Sequence, residues 1–597
     1  MRTKKRRWIG IDGEGIGRDP HRYVQLACSD GEYIEDRNGL RTADCLDFLI
    51  KLGTRDARVC GYYLSYDWTM ILRELPDADL YALLRPELRT RPREEGGGFR
   101  RIEWGPYTLH YLAGAMWITR GKRRVTIWDL GKFYQGPFVG ALEDWGIAPH
   151  VQDRIAEMKR KRDVFEWRDH ERILAYCMDE CRALAELAEA MEQAHIDAGI
   201  KMRSWHGPGS TAGALLKRFR IDEQLGPPLH PLIRYAAMVA YAGGRAEIGR
   251  NGWIEDPVDE LDLTSAYPAQ ALKLPCLIHG RWSRVTNEKH VRSASIALCC
   301  GDIVNVKAHW GPLPVRLKNG SMVYPLSGAR GYWHKEEWLL ARANFKGLSF
   351  DHAYIYHTDC DCKPFAFVQE MFDHRLAIGK KTGAGRIIKL ALNSIYGKLA
   401  QILAATFGSR IWAGMITSGT RAELLRKMLE CRSLESVLMA ATDGLYVTEK
   451  LAVPDQPHLG GWERETLAYG MTLIRPGIYW TPDGKLRARG VGRDNAGAAR
   501  EIFEHGISFG VDRVRLPDRT VFGAARALIA QPQPGVFKRS RNYGQWFQIP
   551  TNIDLRPHPK RMPDWRPPAL DGVTSAPYNP SKRPINEILE ELQGLTL

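Results

Sequence analysis

The strongest constraint on the fold is an alternation of two sequence patterns between residue 8 and about residue 195. Segments with the periodicity of amphipathic helices separate four short β-type runs: Trp8–Ile11, Tyr23–Ala27, Arg58–Tyr62 and Arg124–Trp128. The last helical segment, around Asp169 to Gln193, carries apolar side chains at helical spacing. This alternation is typical of an α/β domain.

A second region begins with a strand at Glu260–Leu263. Because the chain has 597 residues, it is too long for one hydrophobic core. The second region contains a helical pair near Pro364–Gly397 and a strand at Val437–Thr448. Residues 89–98 (RTRPREEGGG) are predicted to form an exposed loop, and the Pro-rich tail beyond Pro550 is expected to be partly unordered. We therefore predict a multidomain protein of mixed α/β and α+β class.

The net charge indicates the kind of partner. A formal charge of +15 and a pI of about 9.2 favour a polyanion, either nucleic acid or an anionic membrane surface. The basic residues are spread along the chain among 18 Trp and 23 Tyr, which suits a groove that neutralises phosphates and stacks bases.

The sequence contains no apolar run of about 20 residues that could span a bilayer. Because the first β-type run starts at Trp8, we expect no signal or transit peptide, no membrane partner and a cytoplasmic location.

The cysteines are expected to be free thiols. Eleven of them in a chain without a secretory signal indicate a reducing compartment. One group also contains a histidine: Cys299, Cys300, His357, Cys360 and Cys362. Its C-C and C-x-C spacings do not match a zinc finger or ribbon. We expect buried or surface thiols there, with a structural zinc as the alternative.

Two carboxylates stand where β-strands end. Asp262 closes an apolar strand, and Asp443 lies in the strand–turn–strand pattern Leu438–Val447. Carboxylates at the ends of neighbouring strands can share Mg²⁺ ions, which leave room for substrate phosphates. Two such ions stabilise the entering and leaving oxygens of an in-line phosphoryl transfer. For Asp262 alone, a turn or cap residue is the simpler interpretation.

A helix face supports phosphoryl transfer. It consists of four residues at positions i, i+4, i+7 and i+8: Lys389, Asn393, Tyr396 and Gly397. Arg375 and Lys380 add positive charge upstream. A nucleoside triphosphate requires such cations, because they hold the phosphates and offset charge on the leaving pyrophosphate. For each basic residue singly, a solvated helix surface is the alternative.

Three motifs in this order resemble motifs A, B and C of family B DNA polymerases. They are D-x-x-S-x-Y-P (Asp262 to Pro268), K-x-x-x-N-S-x-Y-G (Lys389 to Gly397) and T-D-G (Thr442 to Gly444). The resemblance implies a template-directed DNA polymerase with a right-hand architecture of palm, fingers and thumb. It also implies that Asp262 and Asp443 ligate two Mg²⁺ ions, with Mn²⁺ as an alternative and Leu263 as a further metal ligand.

The same resemblance implies contacts to dNTPs. Lys389 would contact the incoming phosphates, and Arg375 or Lys380 would be a second phosphate contact. Tyr267 would exclude a ribose 2′-OH. The nascent base pair would be shaped by three residues of motif B: Asn393, Tyr396 and Gly397.

Two positions depart from the family pattern. Motif C usually reads D-T-D, but Ala441 stands at the position of its first Asp. Asp443 would therefore be the only carboxylate that motif C offers to the metal ions. The segment RPGIY resembles the K-x-Y motif near the primer terminus, but Gly477 stands where Lys is usual. Tyr479 would keep its DNA contact. Three residues could replace the missing cation: Lys485, Arg487 or Arg489.

The N-terminal α/β region carries a second set of acidic residues. Asp12 and Glu14 stand where the first strand ends, on the same face of that strand. Asp67 follows the third β-type run, and Tyr176 and Glu180 lie on the last helix. Together these groups could form another two-metal site, one that activates water. For the D-x-E pair alone, ordinary surface carboxylates are the simpler interpretation.

The order D-x-E, Y-D and Y-x-x-x-D/E resembles the Exo I, II and III motifs of DnaQ-like (RNase H-like) 3′→5′ proofreading exonucleases. The resemblance implies that Asp12, Glu14, Asp67 and Glu180 ligate metal ions and that Tyr176 takes part in catalysis. Asp179 competes with Glu180, because Exo III usually ends in Asp. Four aromatic residues are candidates to hold a frayed primer end, with core packing as the alternative: Phe133, Phe138, and Tyr62 or Tyr63.

A short motif precedes motif A. Tyr241, Gly243 and Gly244 match the Y-x-G-G element that joins the two domains in this family, and Arg245 adds charge. We predict that these four residues contact the template strand, because glycines allow close backbone approach. A plain turn is the alternative.

The compact length and the Y-x-G-G element are most like viral and plasmid members, including the protein-primed group. Between Asp262 and Lys389 there is space for a reduced terminal-protein insertion. Priming by a terminal protein and priming by a nucleic acid therefore both stay open. Between Lys389 and Asp443 there is little space for a second insertion, which predicts poorer processivity and strand displacement. We expect a monomer that binds primer–template DNA.

The predicted domains follow the motifs. They are an exonuclease domain (1–200), a linker with Y-x-G-G (201–250), a palm with the reduced insertion (251–363), fingers (364–400), a second palm segment (401–480), a thumb (481–565) and a tail (566–597). We predict replication of a phage or mobile-element genome. A degenerate nucleic-acid-binding scaffold and an exonuclease that has lost synthesis are the alternatives.

Overall fold

The computed structural model describes most of the chain. The described residues are 6–92, 97–402, 405–454, 458–489, 491, 496–509, 511–516, 519–521, 523–530, 533–536, 538, 543–548, 551–556, 560–561 and 573–574. They form two compact units. The first comprises Met1–Leu215, Arg375–Ala391 and Pro517–Ile549, and the second comprises Leu216–His374, Leu392–Leu516 and Pro550–Leu597.

The N-terminal third alternates strands and helices as its sequence predicts. Its elements are β1 (Arg7–Ile16), β2 (Arg22–Cys28), β3 (Tyr33–Glu35), α1 (Thr42–Leu52), β4 (Ala57–Gly61), α2 (Ser65–Ile71), α3 (Asp77–Leu84), β5 (Ile102–Trp104), β6 (Tyr107–Leu112), β7 (Ala115–Arg120), β8 (Arg123–Asp129), α4 (Gly131–Tyr134), α5 (Phe138–Trp145), α6 (Pro149–Arg160), α7 (His170–Asp197) and α8 (Pro208–Arg218). The four predicted β-type runs are therefore confirmed as β1, β2, β4 and β8.

The middle of the chain mixes strands with helices. Its elements are α9 (Pro231–Ala240), β9 (Arg245–Ile248), β10 (Arg250–Ile254), β11 (Val258–Leu263), α10 (Ala266–Leu272), β12 (Gly280–Val285), α11 (Lys289–Ser293), β13 (Ile296–Asn305), β14 (Val315–Arg316), β15 (Met322–Val323), β16 (Ser327–His334), α12 (Lys335–Asn344), β17 (Leu348–Thr358), α13 (Phe367–Ile378) and α14 (Gly383–Ala400). The predicted helical pair is confirmed as α13 and α14.

The C-terminal third has mostly short strands. Its elements are α15 (Arg410–Met428), β18 (Val437–Thr442), β19 (Gly444–Val447), β20 (Trp462–Leu467), β21 (Met471–Arg475), β22 (Ile478–Trp480), β23 (Leu486–Ala488), α16 (Ala496–Ser508), β24 (Arg513–Leu516), β25 (Arg519–Val521), α17 (Ala524–Ala530), β26 (Trp546–Gln548), β27 (Thr551–Asp554) and β28 (Val573–Thr574). Among the described residues, no helix combines the length and apolar character needed to cross a bilayer.

The first unit is built on an eight-stranded sheet with the order β3-β2-β1-β4-β8-β7-β6-β5. Strands β1, β4 and β8 run parallel, and the flanking strands are antiparallel. Helix α7 packs on β1 through a buried apolar stripe that includes Ile173, Cys177 and Leu184. Because side chains three or four residues apart share a helix face, Tyr176 and Glu180 belong to this buried stripe as well.

The second unit contains three larger sheets. One has the order β20-β11-β19-β18-β9, and another has the order β23-β22-β21-β10-β28. A four-stranded sheet, β12-β17-β13-β16, has its own apolar core and is packed by α11 and α12. This four-stranded module lies between α10 and α13 in sequence, where space for a reduced insertion is predicted.

One predicted loop is partly buried. Arg89 is only 2% exposed, because its guanidinium donates to the carbonyls of Ala82, Leu83, Arg100 and Tyr111. The prediction of a fully exposed 89–98 loop is therefore wrong at its start. Residues 93–96, and all of the 566–597 tail except 573–574, lie outside the described residues, so their predicted character stays a prediction.

Candidate nuclease and polymerase sites

The first unit brings three acidic side chains together at the end of β1. Ligand oxygens of Asp12, Glu14 and Glu180 all lie within 4.8 Å of one another. Asp12 and Glu14 come from β1, whose alternate residues share a face, and Glu180 comes from the buried stripe of α7. Asp67, on α2, is buried and accepts a hydrogen bond of 2.9 Å from the Tyr23 hydroxyl.

Burial and mutual repulsion perturb these carboxyl groups. Burial raises the pKa of Asp12 well above its usual value, and the charges of Glu180, Glu14 and Asp67 raise it further. Burial raises the pKa of Glu14 to about 7, although Arg162 opposes the shift. Burial likewise raises the pKa of Asp67 to about 6, against the hydrogen bond from Tyr23. Such shifts mark a site where negative charge is concentrated.

Two cations partly neutralise the cluster. Arg162 Nη2 lies 2.7 Å from Glu14 Oε1, 3.5 Å from Glu180 Oε1 and 3.7 Å from Asp12 Oδ2. Lys159 Nζ lies 2.7 Å from Glu180 Oε2. Burial raises the pKa of Glu180, but Lys159 and Arg162 bring it below its usual value. The motifs do not include these two residues; the basic run MKRKR at 158–162 was the available sequence signal.

The cluster has unused ligand atoms. Asp12 Oδ2 and Glu180 Oε1 are buried, and neither accepts a hydrogen bond within the described part of the chain. Buried oxygens without donors are costly unless a cation satisfies them. Oxygen donors of this kind are those that Mg²⁺ and Mn²⁺ prefer. The residues present therefore fit hard divalent cations.

The two competing Exo III residues face different surroundings. Glu180 is 4% exposed and lies in the cluster. Asp179 points elsewhere, because it forms ion pairs with Arg154 and Arg182. Tyr176 is 1% exposed, and the guanidinium of Arg162 lies 5.6 Å from its ring centroid. The alternative ligand Asp179 is thus not supported by this arrangement.

A cavity of about 280 Å³ opens beside Glu14 and Arg162 in the same unit. His21, Tyr66, Ala524 and Trp546 also line it. Of these four residues, the motifs include only Tyr66, as the first residue of Y-D. Segments distant in sequence supply them, so no local motif could have indicated the cavity.

The predicted aromatic candidates separate into two groups. Phe133 packs against His195 and Trp205 and is 6% exposed, so it belongs to the core. Tyr62 and Phe138 have ring centroids 5.0 Å apart. Tyr62 also contacts the rings of Tyr63 and Tyr134 and donates to the Gly136 carbonyl, and Lys159 Nζ lies 5.4 Å from the Phe138 ring centroid. Tyr63 is 44% exposed, which leaves it open to an external partner.

The second unit places the two motif carboxylates on neighbouring strands. Asp262 is in β11, and the antiparallel register of β11 with β19 sets it opposite Gly444. Asp443 occupies the connection between β18 and β19, and its carbonyl accepts a hydrogen bond of 3.0 Å from the Leu263 N–H. The only metal-ligating atom that Leu263 offers is its backbone carbonyl oxygen.

These carboxylates repel each other. Burial raises the pKa of Asp262 to about 6, and the charges of Asp443, Glu260 and Glu463 contribute. Burial also raises the pKa of Asp443. Glu463 is directly opposite Asp262 in the β11–β20 register, so both side chains project from the same face of the sheet. The motifs did not identify Glu463. These oxygen donors fit a hard divalent cation in the same way as those of the first unit.

Three tyrosines of the predicted nucleotide and template motifs form one cluster. The rings of Tyr267 and Tyr396 have centroids 4.9 Å apart. The hydroxyls of Tyr241 and Tyr396 are 2.5 Å apart, and Arg410 lies 4.6 Å above the Tyr241 ring. A Cβ atom at Gly244 would lie 2.7 Å from Thr442 Cγ2 and 3.1 Å from the Tyr267 hydroxyl. Only glycine therefore fits beside motifs A and C.

A buried arginine anchors the Y-x-G-G segment. Arg421, on α15, donates to the carbonyls of Ala242 and Gly243 at 2.6 and 2.7 Å. It also pairs with Glu337 through two hydrogen bonds of 2.7 and 2.6 Å. Sequence reasoning did not identify this pair, because its members are 84 residues apart and match no motif.

Two predicted DNA contacts are buried. Arg245 is 1% exposed because it pairs with Glu247 at 2.7 Å and lies 4.0 Å above the Tyr324 ring. Tyr479 is also 1% exposed, and its hydroxyl donates to Glu260 at 3.3 Å. Both side chains are satisfied inside the protein, so this structure does not support the predicted DNA contacts.

The residues of motif B share an exposed face of α14, with Lys389, Asn393 and Gly397 exposed and Tyr396 half-buried. A Cβ at Gly397 would meet nothing within 4 Å. Lys380 is exposed in the connection before this helix. Arg375 is 9% exposed, and its guanidinium donates to the Gly385 carbonyl at 3.0 Å. Because this hydrogen bond holds its side chain against the protein, the structure does not support the predicted phosphate contact.

The structure explains the glycine in the RPGIY segment. Gly477 connects β21 and β22 with a φ of +84°, and its carbonyl accepts a hydrogen bond of 2.8 Å from the Arg489 N–H. A left-handed backbone favours glycine over lysine. Of the three cations considered as replacements, Lys485 pairs with Glu260 and Glu465 at 3.0 and 2.8 Å.

Comparison with known proteins gives a family match and a fold match. The family model described as DNA polymerase type B, organellar and viral, matches residues 151–408. Phi29 DNA polymerase complexed with primer-template DNA superposes with a TM-score of 0.62 at 13% identity, over 92% of this chain and 100% of that chain. Its complex with single-stranded DNA gives a TM-score of 0.60 at 14% identity, with the same coverage. No curated protein sequence matches the chain.

Proposed function

We propose that this chain is a family B DNA polymerase of the compact viral type and that it extends DNA primers at a metal site formed by Asp262 and Asp443. One observation carries the assignment. Both carboxylates stand at the β11–β19 pair; burial raises both pKa values, and the charges of Asp443 and neighbouring acids raise the pKa of Asp262 further. These oxygens and the Leu263 carbonyl would hold divalent cations, which would supply charge stabilisation for the transferred phosphoryl group.

The remaining motif residues position the substrates. The exposed face of α14 offers Lys389 to the phosphates of a dNTP and Asn393 and Gly397 to the nascent base pair. Tyr267 packs against Tyr396, which restricts the space on one side of the incoming sugar. Arg421 holds the Y-x-G-G backbone so that Gly243 and Gly244 can approach a template strand.

The acid cluster of the first unit is proposed to remove nucleotides from DNA 3′ ends. Asp12, Glu14, Asp67 and Glu180 would hold divalent cations, whose chemistry is to activate a water molecule for attack on a phosphodiester. Lys159 and Arg162 supply positive charge within the acid cluster. This charge would reduce the repulsion between a DNA backbone phosphate and the three acids. Tyr63 offers an exposed ring for stacking a terminal base.

The resemblance to protein-primed members extends the proposal to a terminal protein primer. The four-stranded module, residues 280–358, lies between Asp262 and Lys389, where a reduced terminal-protein insertion is predicted, and it has its own core. A template without an oligonucleotide primer tests this extension. Synthesis that starts only when a candidate terminal protein is added would support it, and synthesis that always requires a 3′-OH of DNA would contradict it.

The primary test uses a 5′-labelled primer annealed to a longer template. With Mg²⁺ and dNTPs, the wild-type protein should extend the primer, and without dNTPs it should shorten it. Asp443→Asn should abolish extension and keep shortening, whereas Asp12→Asn should abolish shortening and keep extension.

Matched controls separate charge at the sites from charge in general. Asp256→Asn removes an exposed carboxylate just before β11, and Asp179→Asn removes the acid next to Glu180 that is held by other ion pairs. Both should keep both activities. Shortening without extension would leave an exonuclease on a degenerate polymerase scaffold. DNA binding without either reaction would leave only a nucleic-acid-binding role.

A further inference from the structure

Four metal-ligating side chains that form no recognised motif lie together in the second unit, separate from both acidic sites. Ligand atoms of Cys276, His279, Cys360 and Cys362 are all within 4.8 Å of one another. We propose that these residues form a structural Zn²⁺ site with a Cys₃His ligand set.

The pairing of two strands creates the cluster. Strands β12 and β17 are antiparallel, and their register places Gly280 opposite Thr358. His279 immediately precedes Gly280, and Cys360 and Cys362 follow Thr358 by two and four residues. The register therefore brings the chain before β12 against the chain after β17. Cys276, three residues before His279, completes the set on the incoming chain.

The separations match those of a tetrahedral zinc site. His279 Nδ1 lies 3.4 Å from Cys276 Sγ and 3.5 Å from Cys362 Sγ. With Zn–S bonds of about 2.3 Å and Zn–N bonds of about 2.0 Å, tetrahedral ligand atoms are about 3.5–3.8 Å apart. The imidazole Nδ1 already faces two of the three sulfurs, so one ion can be bound with little movement of the backbone.

The sulfurs also have the hydrogen-bond donors that stabilise thiolates. The N–H of Ile278 donates to Cys276 Sγ at 3.3 Å. The Thr358 hydroxyl lies 3.2 Å from Cys360 Sγ, and the Cys362 backbone N–H donates to the same sulfur. A thiolate is the form of cysteine that binds metal.

The ligand chemistry selects the kind of ion. Three sulfurs and one imidazole favour Zn²⁺ over Mg²⁺ or Ca²⁺, which prefer oxygen. Four protein ligands fill a tetrahedral shell and leave no position for substrate, so the site is structural. All four residues lie outside the acidic sites, and the three cysteines are free thiols in the structure.

The position suggests what the ion would stabilise. Cys276 follows α10, the helix that begins just after Asp262, and Cys362 precedes α13. A bound ion would fasten the two connections that flank the four-stranded module. Loss of the ion should therefore lower the thermal stability of the chain, because the free energy of metal binding is available only to the folded protein.

The test measures metal in the untagged, full-length protein, purified under reducing conditions without chelator. Elemental mass spectrometry should find about one Zn²⁺ per chain. After replacement by Co²⁺, a sulfur-to-cobalt absorption band and intense tetrahedral bands should appear. Oxygen-ligand sites, including both acidic sites, cannot produce the sulfur band.

Variants locate the ion. The double variant Cys360→Ser/Cys362→Ser should lose the zinc and the sulfur band, and Cys431→Ser, which removes a half-buried thiol outside the cluster, should keep both. His279→Cys should retain zinc with a stronger sulfur band, which guards against misfolding of the serine variants. A wild-type protein without zinc and without the sulfur band would overturn the proposal, whichever variants fold. Neither result depends on polymerase or nuclease activity.

Discussion

The buried ion pair between Arg421 and Glu337 offers a quantitative test of how the structure supports motif Y-x-G-G. The two side chains are 1% and 3% exposed. Arg421→Met would leave the Glu337 carboxylate without its partner, which costs about 3–5 kcal/mol in buried pairs. The carbonyls of Ala242 and Gly243 would also lose one donor each, at about 0.5–1.5 kcal/mol per hydrogen bond. We therefore expect the free energy of unfolding to fall by about 4–8 kcal/mol.

The loss should depend on pH in a defined direction. Burial raises the pKa of Glu337 above its usual value even with Arg421 present, and removal of the cation would raise it further. A carboxyl group whose folded pKa exceeds its unfolded pKa destabilises the fold as pH rises. The Arg421→Met variant should therefore be closest to the wild type in mild acid and furthest from it at alkaline pH.

Two further variants control for the mechanism. Arg421→Met/Glu337→Leu removes both charges, so it should lose only about 1–3 kcal/mol for the two carbonyls. Arg426→Met breaks an exposed pair with Glu423 on the same helix and should cost less than about 1 kcal/mol. Urea unfolding followed by tryptophan fluorescence measures all four proteins. The reasoning would be refuted if the double variant were as unstable as the single one, or if pH had no effect.

Three other outcomes test the sites. Gly477→Lys should destabilise the β21–β22 connection by about 1–2 kcal/mol, because the backbone φ at residue 477 is +84°. It should not restore a primer contact; thermal unfolding measures the first effect and primer extension the second. Mg²⁺ should raise the melting temperature more at pH 8 than at pH 6, because the protons held by Asp12 and Glu14 must leave, and Glu14→Gln should reduce that difference. Lys389→Ala should raise the KM for dNTPs in primer extension without changing dNTP-free shortening, and an unchanged KM would contradict the assignment.

The local patterns predicted much of the architecture. Alternating strands and helices, the buried stripe of α7 and the strand–turn–strand around Asp443 all form where the sequence predicts them. These features depend on side-chain periodicity and turn chemistry, which act over a few residues. The same reasoning indicated which acids could gather, because strand ends and alternate positions fix the face on which a side chain lies.

Predictions that required knowledge of burial were less successful. Arg245, Arg375 and Tyr479 have the chemistry of nucleic-acid contacts, but each is buried and pairs with a protein group, namely Glu247, the Gly385 carbonyl and Glu260 respectively. Charge and aromatic character are compatible with both a surface contact and a satisfied interior position. Only the packing of the surrounding elements distinguishes the two.

Residues without a motif were found only in the folded structure. Lys159 and Arg162 lie among the acids of the first unit, Arg421 donates to the Y-x-G-G carbonyls, and Cys276 lies beside Cys362 across a strand pair. The sequence by itself determined the order of the elements, the polymerase motifs and the acids of each site, since these are encoded by residue type and short spacing. The tertiary structure decided which distant charges and thiols meet, because strand register and helix packing bring together positions whose separation in sequence carries no signal.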